Sequence, residues 1–181
     1  MAQFAYADSQ GRVRRSGGRI ETRLWMTGPN RRGARVLTDG PRDHGVVCSP
    51  DGRLLIYESE AEPGRPFIHA LDLTDEAPAP RRIARGRDPA ISPLGDWVVY
   101  SREEGDGWRL WRMRPDGSGK SALGVRDQGQ ADERYATVSP DGRFVAYVAE
   151  EEDRQRIRVR RMDGTGDRIL LEDGDGTLPV W

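Results

Sequence analysis

One four-residue phrase recurs three times and constrains this chain more than anything else in it. Ser49-Pro50-Asp51-Gly52 returns as Ser92-Pro93-Leu94-Gly95 and as Ser139-Pro140-Asp141-Gly142, at offsets of 43 and 47 residues. The phrase is turn chemistry: Pro presets φ at the second turn position, and Gly serves where φ must be positive. An apolar run ending in Tyr57, Tyr100 or Tyr147 follows each copy. A repeat of this length marks stacked supersecondary units, each unable to bury its apolar face alone.

Each unit reads as four short strands, A to D. In the last, Ala136-Thr137-Val138 leads through the turn to Arg143-Phe144-Val145-Ala146-Tyr147-Val148, rich in strand formers. After the polar connection Glu150-Glu151-Glu152-Asp153-Arg154, the alternation in Ile157-Arg158-Val159-Arg160 predicts a half-buried strand. Asp163-Gly164-Thr165-Gly166 turns the chain into Arg168-Ile169-Leu170-Leu171, the outer strand. The other copies follow the same plan. Helical periodicity is weak, and Gly and Pro punctuate too often for long helices. Four-stranded antiparallel units repeated radially make an all-β propeller.

The ends imply closure. Gln3-Phe4-Ala5-Tyr6 aligns with strand B, so no strand A precedes it. Leu178-Pro179-Val180-Trp181 matches the approach to strand A elsewhere, as in Pro89-Ala90-Ile91. The expectation is a single propeller domain over 1–181 with four blade equivalents. Blade 1 is split between about 1–39 and 178–181; blade 2 covers about 44–85, blade 3 about 88–124, and blade 4 about 135–172. The C-terminal strand completes the N-terminal blade and removes two open edges. Within one chain this gives a four-bladed ring. Between two chains it gives an eight-bladed ring and hence a homodimer.

The phrase Ser-Pro-Asp-Gly-Arg, the run to Tyr and the endings Met113-Arg114-Pro115-Asp116-Gly117-Ser118-Gly119 and Met162-Asp163-Gly164-Thr165-Gly166 together resemble the PD40 (WD40-like) repeats of TolB β-propellers. The resemblance covers nearly the whole chain and departs at Leu94, where Asp is expected. It implies protein–protein association through loop faces. The same repeats accompany prolyl-oligopeptidase-type hydrolase domains, so an accessory propeller of that kind is the alternative.

Charge is balanced, 29 basic against 30 acidic residues, which gives no overall pull toward nucleic acid or a membrane. No window approaches the ~20 apolar residues of a spanning helix. The N-terminus has neither a basic region nor a long apolar stretch, so a cytoplasmic location is expected, or a periplasmic one if a signal peptide was removed. Cys48 is the sole cysteine and reads as a small buried hydrophobe in an apolar strand.

Candidate chemistry is sparse. Gly119-Lys120-Ser121 ends like a phosphate loop, but the upstream Gly falls at Arg114 and no helix follows, so a C–D turn is expected. Glu172-Asp173-Gly174-Asp175-Gly176-Thr177 lacks the spacing to a terminal Glu of a calcium loop. His44 and His69 stand alone, too few for a standard zinc site; His69 reads as packing. No nucleophile elbow occurs. The expectation is therefore no catalytic residue, no bound metal and no cofactor.

The layout of charge carries the functional reading. B–C and D–A connections share one face. Glu58, Glu60 and Glu62, then Glu103, Glu104 and Asp106, then Glu150, Glu151, Glu152 and Asp153 make three acidic connections. The fourth holds Arg12, Arg14, Arg15 and Arg19. Asp43, His44, Asp88, Asp127 and Tyr135 fall in or beside D–A connections. A protein or peptide partner docking on this face is the first expectation. A small ligand or cation at the ring axis is the second. Trp108 and Trp111 read as blade-packing residues.

Overall fold

The computed structural model describes residues 4–8, 22–28, 33–105, 107–124, 131–151, 154–172 and 178–181. The chain divides into two compact units, Met1–Arg85 and Gly86–Trp181. In the first unit, β1 (Phe4–Asp8), β2 (Arg23–Thr27) and β3 (Arg35–Val36) make a three-stranded sheet. A second sheet follows from β4 (Asp43–Cys48), β5 (Leu54–Glu62), β6 (Arg65–Asp72) and β7 (Arg81–Arg85). The second unit holds β8 (Arg87–Ile91), β9 (Val98–Glu104), β10 (Gly107–Met113) and β11 (Ser121–Ala122). Its other sheet is β12 (Asp132–Val138), β13 (Phe144–Glu151), β14 (Arg154–Arg161) and β15 (Arg168–Leu171). Every sheet runs in sequence order with antiparallel neighbours.

Register makes the sheets equivalent. Tyr57 faces His69, Tyr100 faces Trp111 and Tyr147 faces Arg158 across their second and third strands. Tyr6 faces Trp25 in the same way, so β1 matches a second strand, and among the described residues its sheet is β1-β2-β3. Residues 178–181 form no strand, and β2 is the sole strand partner of β1 among the described residues. A ladder needs backbone groups of both strands in register. The Trp181 indole N–H donates to the Thr137 carbonyl of β12 at 3.2 Å.

The repeated turn is built alike in β4–β5 and β12–β13. Gly52 N–H donates to the Ser49 carbonyl at 2.9 Å and Gly142 N–H to that of Ser139 at 2.8 Å, with φ of 71° at both glycines. The Ser hydroxyl donates to the Asp carboxylate at 2.6 Å and accepts the N–H of Leu54 or Phe144 at 2.9 Å. In β8–β9 Leu94 cannot serve and is exposed. Asp96, two residues on, takes the Ser92 hydroxyl at 2.7 Å.

Apolar residues pack between adjacent sheets of a unit. Leu24 of β2 meets Leu55, Tyr57 and Leu71 in the first unit. Val99, Leu110 and Leu123 meet Val138, Val145, Tyr147 and Met162 in the second. Full burial of each such side chain is worth roughly 1.5–3 kcal/mol. Burial also pushes up the phenols of Tyr57, Tyr100 and Tyr147, that of Tyr100 to about 12. Cys48 departs from expectation: it is exposed, at the last position of β4.

Candidate functional site

The first strands begin earlier than the sequence suggests, and a bulge is the reason. β4, β8 and β12 each break register once, between His44 and Val47, Arg87 and Ala90, and Arg134 and Thr137. A bulge adds a residue to one strand, so pairing resumes beyond it. Asp43, His44, Asp88 and Tyr135 therefore lie in strands rather than in connections.

Each bulge holds a left-handed residue four positions before its Ser. At that position stand Gly45 (φ 58°), Asp88 (φ 52°) and Tyr135 (φ 54°). Gly takes this conformation without penalty, whereas a side chain there costs on the order of 1–3 kcal/mol. Among the described residues, Asp88 and Tyr135 are the non-glycine residues at positive φ, and both are in the second unit.

Their surroundings form one cluster. Arg134 Nε donates to Asp88 Oδ2 at 2.9 Å, an ion pair in which both side chains are mostly covered. The Arg134 guanidinium lies 4.5 Å from the centroid of the half-exposed Tyr135 ring. Next to it, Asp132 Oδ1 accepts the Trp108 N–H at 2.8 Å, and Arg87 lies 4.5 Å over the Trp108 ring. Arg109 Nη1 donates to the Ala131 carbonyl at 2.8 Å. Anion, cation and aromatic faces thus converge where β8 meets β12, a composition suited to polar segments carrying charge and aromatic surface.

Beneath this cluster lies a buried charge network that sequence reading missed. Arg160 donates to Glu133, to the Tyr147 hydroxyl and to the Leu123 carbonyl, and to Asp167 Oδ2 at 3.3 Å. Glu133 Oε2 in turn accepts the Leu110 N–H at 2.9 Å. The network joins six residues from both sheets of the unit. Arg160 falls on the charged side of its strand's alternation, which argued for solvent, whereas the sister strands place Leu71 and Met113 at the same register.

The first unit disposes of its candidates differently. Asp43 is buried, 2% exposed. His44 Nε2 lies 3.3 Å from Glu58 Oε1, and its Nδ1–H donates to the Arg42 carbonyl at 3.1 Å. The Glu58 hydrogen bond is the largest cause raising the His44 pKa, against a burial effect that lowers it. Glu58 is buried by this pairing and so does not belong to an exposed acidic face. Glu60 binds Arg42 at 3.0 Å and the Gly64 N–H at 3.1 Å. His69 stacks on Tyr57, centroids 5.3 Å apart, which is the packing role expected of it; burial lowers its pKa.

The acidic residues expected in B–C connections sit mostly on strands. Glu58, Glu60 and Glu62 are in β5, and Glu103 and Glu104 end β9, opposite Trp108 and Gly107. Glu151 ends β13 opposite Arg154. Arg14, Arg15 and Asp127 lie outside the described residues, as do Arg12, Arg19, Asp106, Glu152 and Asp153. Lys120 donates to the Gly117 carbonyl in the β10–β11 turn, as expected of a hairpin. Among the described residues, no group of three or more His, Cys, Asp or Glu is placed to hold a metal ion. No helix there is long and apolar enough to cross a membrane.

No protein-family model matches the sequence, and no curated protein matches it either. Solved structures do. A putative TolB from Agrobacterium tumefaciens is 22% identical, with a TM-score of 0.79 over 98% of this chain and 64% of that one. An oligogalacturonate lyase from Vibrio parahaemolyticus is 16% identical, TM-score 0.64, covering 86% of this chain and 47% of that one. A prolyl endopeptidase is 20% identical, TM-score 0.62, covering 87% of this chain and 26% of that one. This chain thus spans about two-thirds or less of each of these three structures. Antiparallel four-stranded sheets in sequence order, joined by the repeated Ser-Pro turns, together with these likenesses, give the chain the fold of a TolB-like β-propeller.

Proposed function

We propose that this protein is a non-catalytic binding module that takes a protein or peptide segment across the first-strand bulges of β8 and β12. One observation carries the reading. Two adjacent bulges hold Asp88 and Tyr135 in a conformation that the equivalent Gly45 adopts without cost. Strain of this kind persists where function needs the side chain that causes it. Arg134 between them supplies charge, and Tyr135 supplies a half-exposed ring. In this reading the Ser-Pro-Asp-Gly phrases are repeats of the PD40 kind, and their recurring chemistry builds turns rather than a site. The proteins with a similar fold include a TolB and enzymes, so the fold itself favours neither binding nor reaction.

The test is selection of a displayed random-peptide library on the full chain, followed by affinity measurement of the recovered peptides. Tyr135→Ala and Arg134→Ala are expected to weaken binding by at least about tenfold each, since anchors of these types dominate interfaces. Salt should weaken it further. Peptides that bind both variants as tightly as the parent protein would place the site elsewhere and refute the reading.

A further inference from the structure

The outer strand β15 carries more exposed apolar surface than β3, where Val36 alone is a large exposed apolar residue, and differs outright from β7. In β7, Ile83 and Ala84 are buried, and Leu123, just after β11, is buried in the inter-sheet core. In β15 all four residues are exposed, with Ile169 at 38%, Leu170 at 53% and Leu171 at 48%. β15 is also last in its sheet, bonded to β14 on one side. Three consecutive exposed large apolar residues on an edge strand make an unusual surface, because edges are normally blunted by charge.

The order of residues says what fits it. The segment reads Arg168-Ile169-Leu170-Leu171-Glu172. Two copies laid antiparallel about a two-fold axis through Leu170 bring Arg168 of each opposite Glu172 of the other. Ile169 then faces Leu171, and Leu170 faces its own copy. Opposite charges and matched apolar pairs directly across a ladder are the favourable arrangement. A two-fold interface requires this self-complementarity. Arg168 and Glu172 are both exposed, and Glu172 holds Arg156 at 3.1 Å on its own sheet, which keeps the carboxylate at the strand end.

We propose that β15 is a self-association edge, pairing with β15 of a second copy in this antiparallel register to form a continuous eight-stranded sheet. β15 is four residues long, so the shared ladder is short. Short edges bury little area, so the dimer is a weak one. This contact is separate from the peptide site at β8 and β12 and does not depend on it.

Sedimentation velocity on the full chain, from about 1 µM to about 500 µM, reads the association. The parent protein is expected to dimerise reversibly within that range. Arg168→Glu makes the edge acidic at both ends, and Glu172→Arg makes it basic at both ends. Each variant alone should associate at least about tenfold more weakly. Their equimolar mixture should recover a heterodimer, since each edge then complements the other. Leu170→Lys, at an exposed position, should abolish association with its melting curve unchanged. A parent protein that stays monomeric across the range overturns the proposal. So does a mixture that associates no better than its components. Loss of association in Trp181→Ala with Arg168→Glu unaffected would move the contact to the tail and equally overturn it.

Discussion

Arg160 and Glu133 form an ion pair almost sealed from solvent, 5% and 6% exposed, at the centre of the second unit. The pair ties β14 to β12, and through Leu110 and Leu123 it ties their sheet to the neighbouring one. Sister strands solve the same position with Leu71 and Met113, so the polar solution is a local choice.

Arg160→Met copies the neighbouring strand but leaves Glu133 buried without its cation. The expected cost is about 3–5 kcal/mol, the range for breaking a buried pair from one side. Arg160→Met combined with Glu133→Gln should recover part of that loss. Urea denaturation of the three proteins checks both statements. A single variant as stable as the parent would mean that the pair contributes nothing.

Asp96 substitutes for the missing Asp of the second Ser-Pro turn. Asp96→Ala should cost about 1 kcal/mol, the usual net value of a hydrogen bond. Adding Leu94→Asp should restore it, because that position holds the carboxylate in the other two turns. Thermal melts of the single and double variants decide the matter. In those two turns, the Ser hydroxyl first and the backbone N–H of Arg53 or Arg143 second hold Asp51 and Asp141 below the usual carboxylate range. Their contribution is present above the ordinary carboxyl pKa and is lost as pH falls through the lowered one.

His44 gives the opposite pH dependence. Its folded pKa is raised, chiefly by Glu58, so the charged imidazolium stabilises the first unit. That contribution is full below the unfolded value of 6.5 and is lost as pH rises through the folded value. An NMR titration should find His44 titrating above 6.5 and His69 below it. Glu58→Gln should bring the His44 midpoint down. An unchanged midpoint would assign the shift to another group.

Tyr135→Gly separates strain from binding. Glycine accepts the left-handed conformation, so the variant should gain stability, by up to about 1 kcal/mol, while losing the ring. A gain in melting temperature together with weaker peptide binding is the expected signature of stability given up for function. A variant less stable than the parent would show that Tyr135 is there for packing.

Much of this fold is legible in one dimension. Turns are local: Ser, Pro and Gly act through their own dihedrals and through bonds to residues at most five positions away. Strand order, the Tyr register and the hairpin at Lys120 followed from those turns and from alternation.

What the sequence left open concerns residues brought together from distant positions. Asp88 and Arg134 are separated by one whole repeat, and no local pattern announces their pair. The bulges that make Asp88 and Tyr135 left-handed exist because pairing resumes on the far side, which depends on the partner strand. Charge was misread for the same reason. Glu58 and Arg160 belong with exposed residues by type, yet His44 and Glu133 make them interior ones, since a buried charge survives only beside a partner that folding brings to it. Composition and spacing alone determined the turns, the strands and their order. Tertiary contact decided which charges are buried, which backbone is strained and which edge stays open, because each depends on the free energy of two groups meeting rather than on either alone.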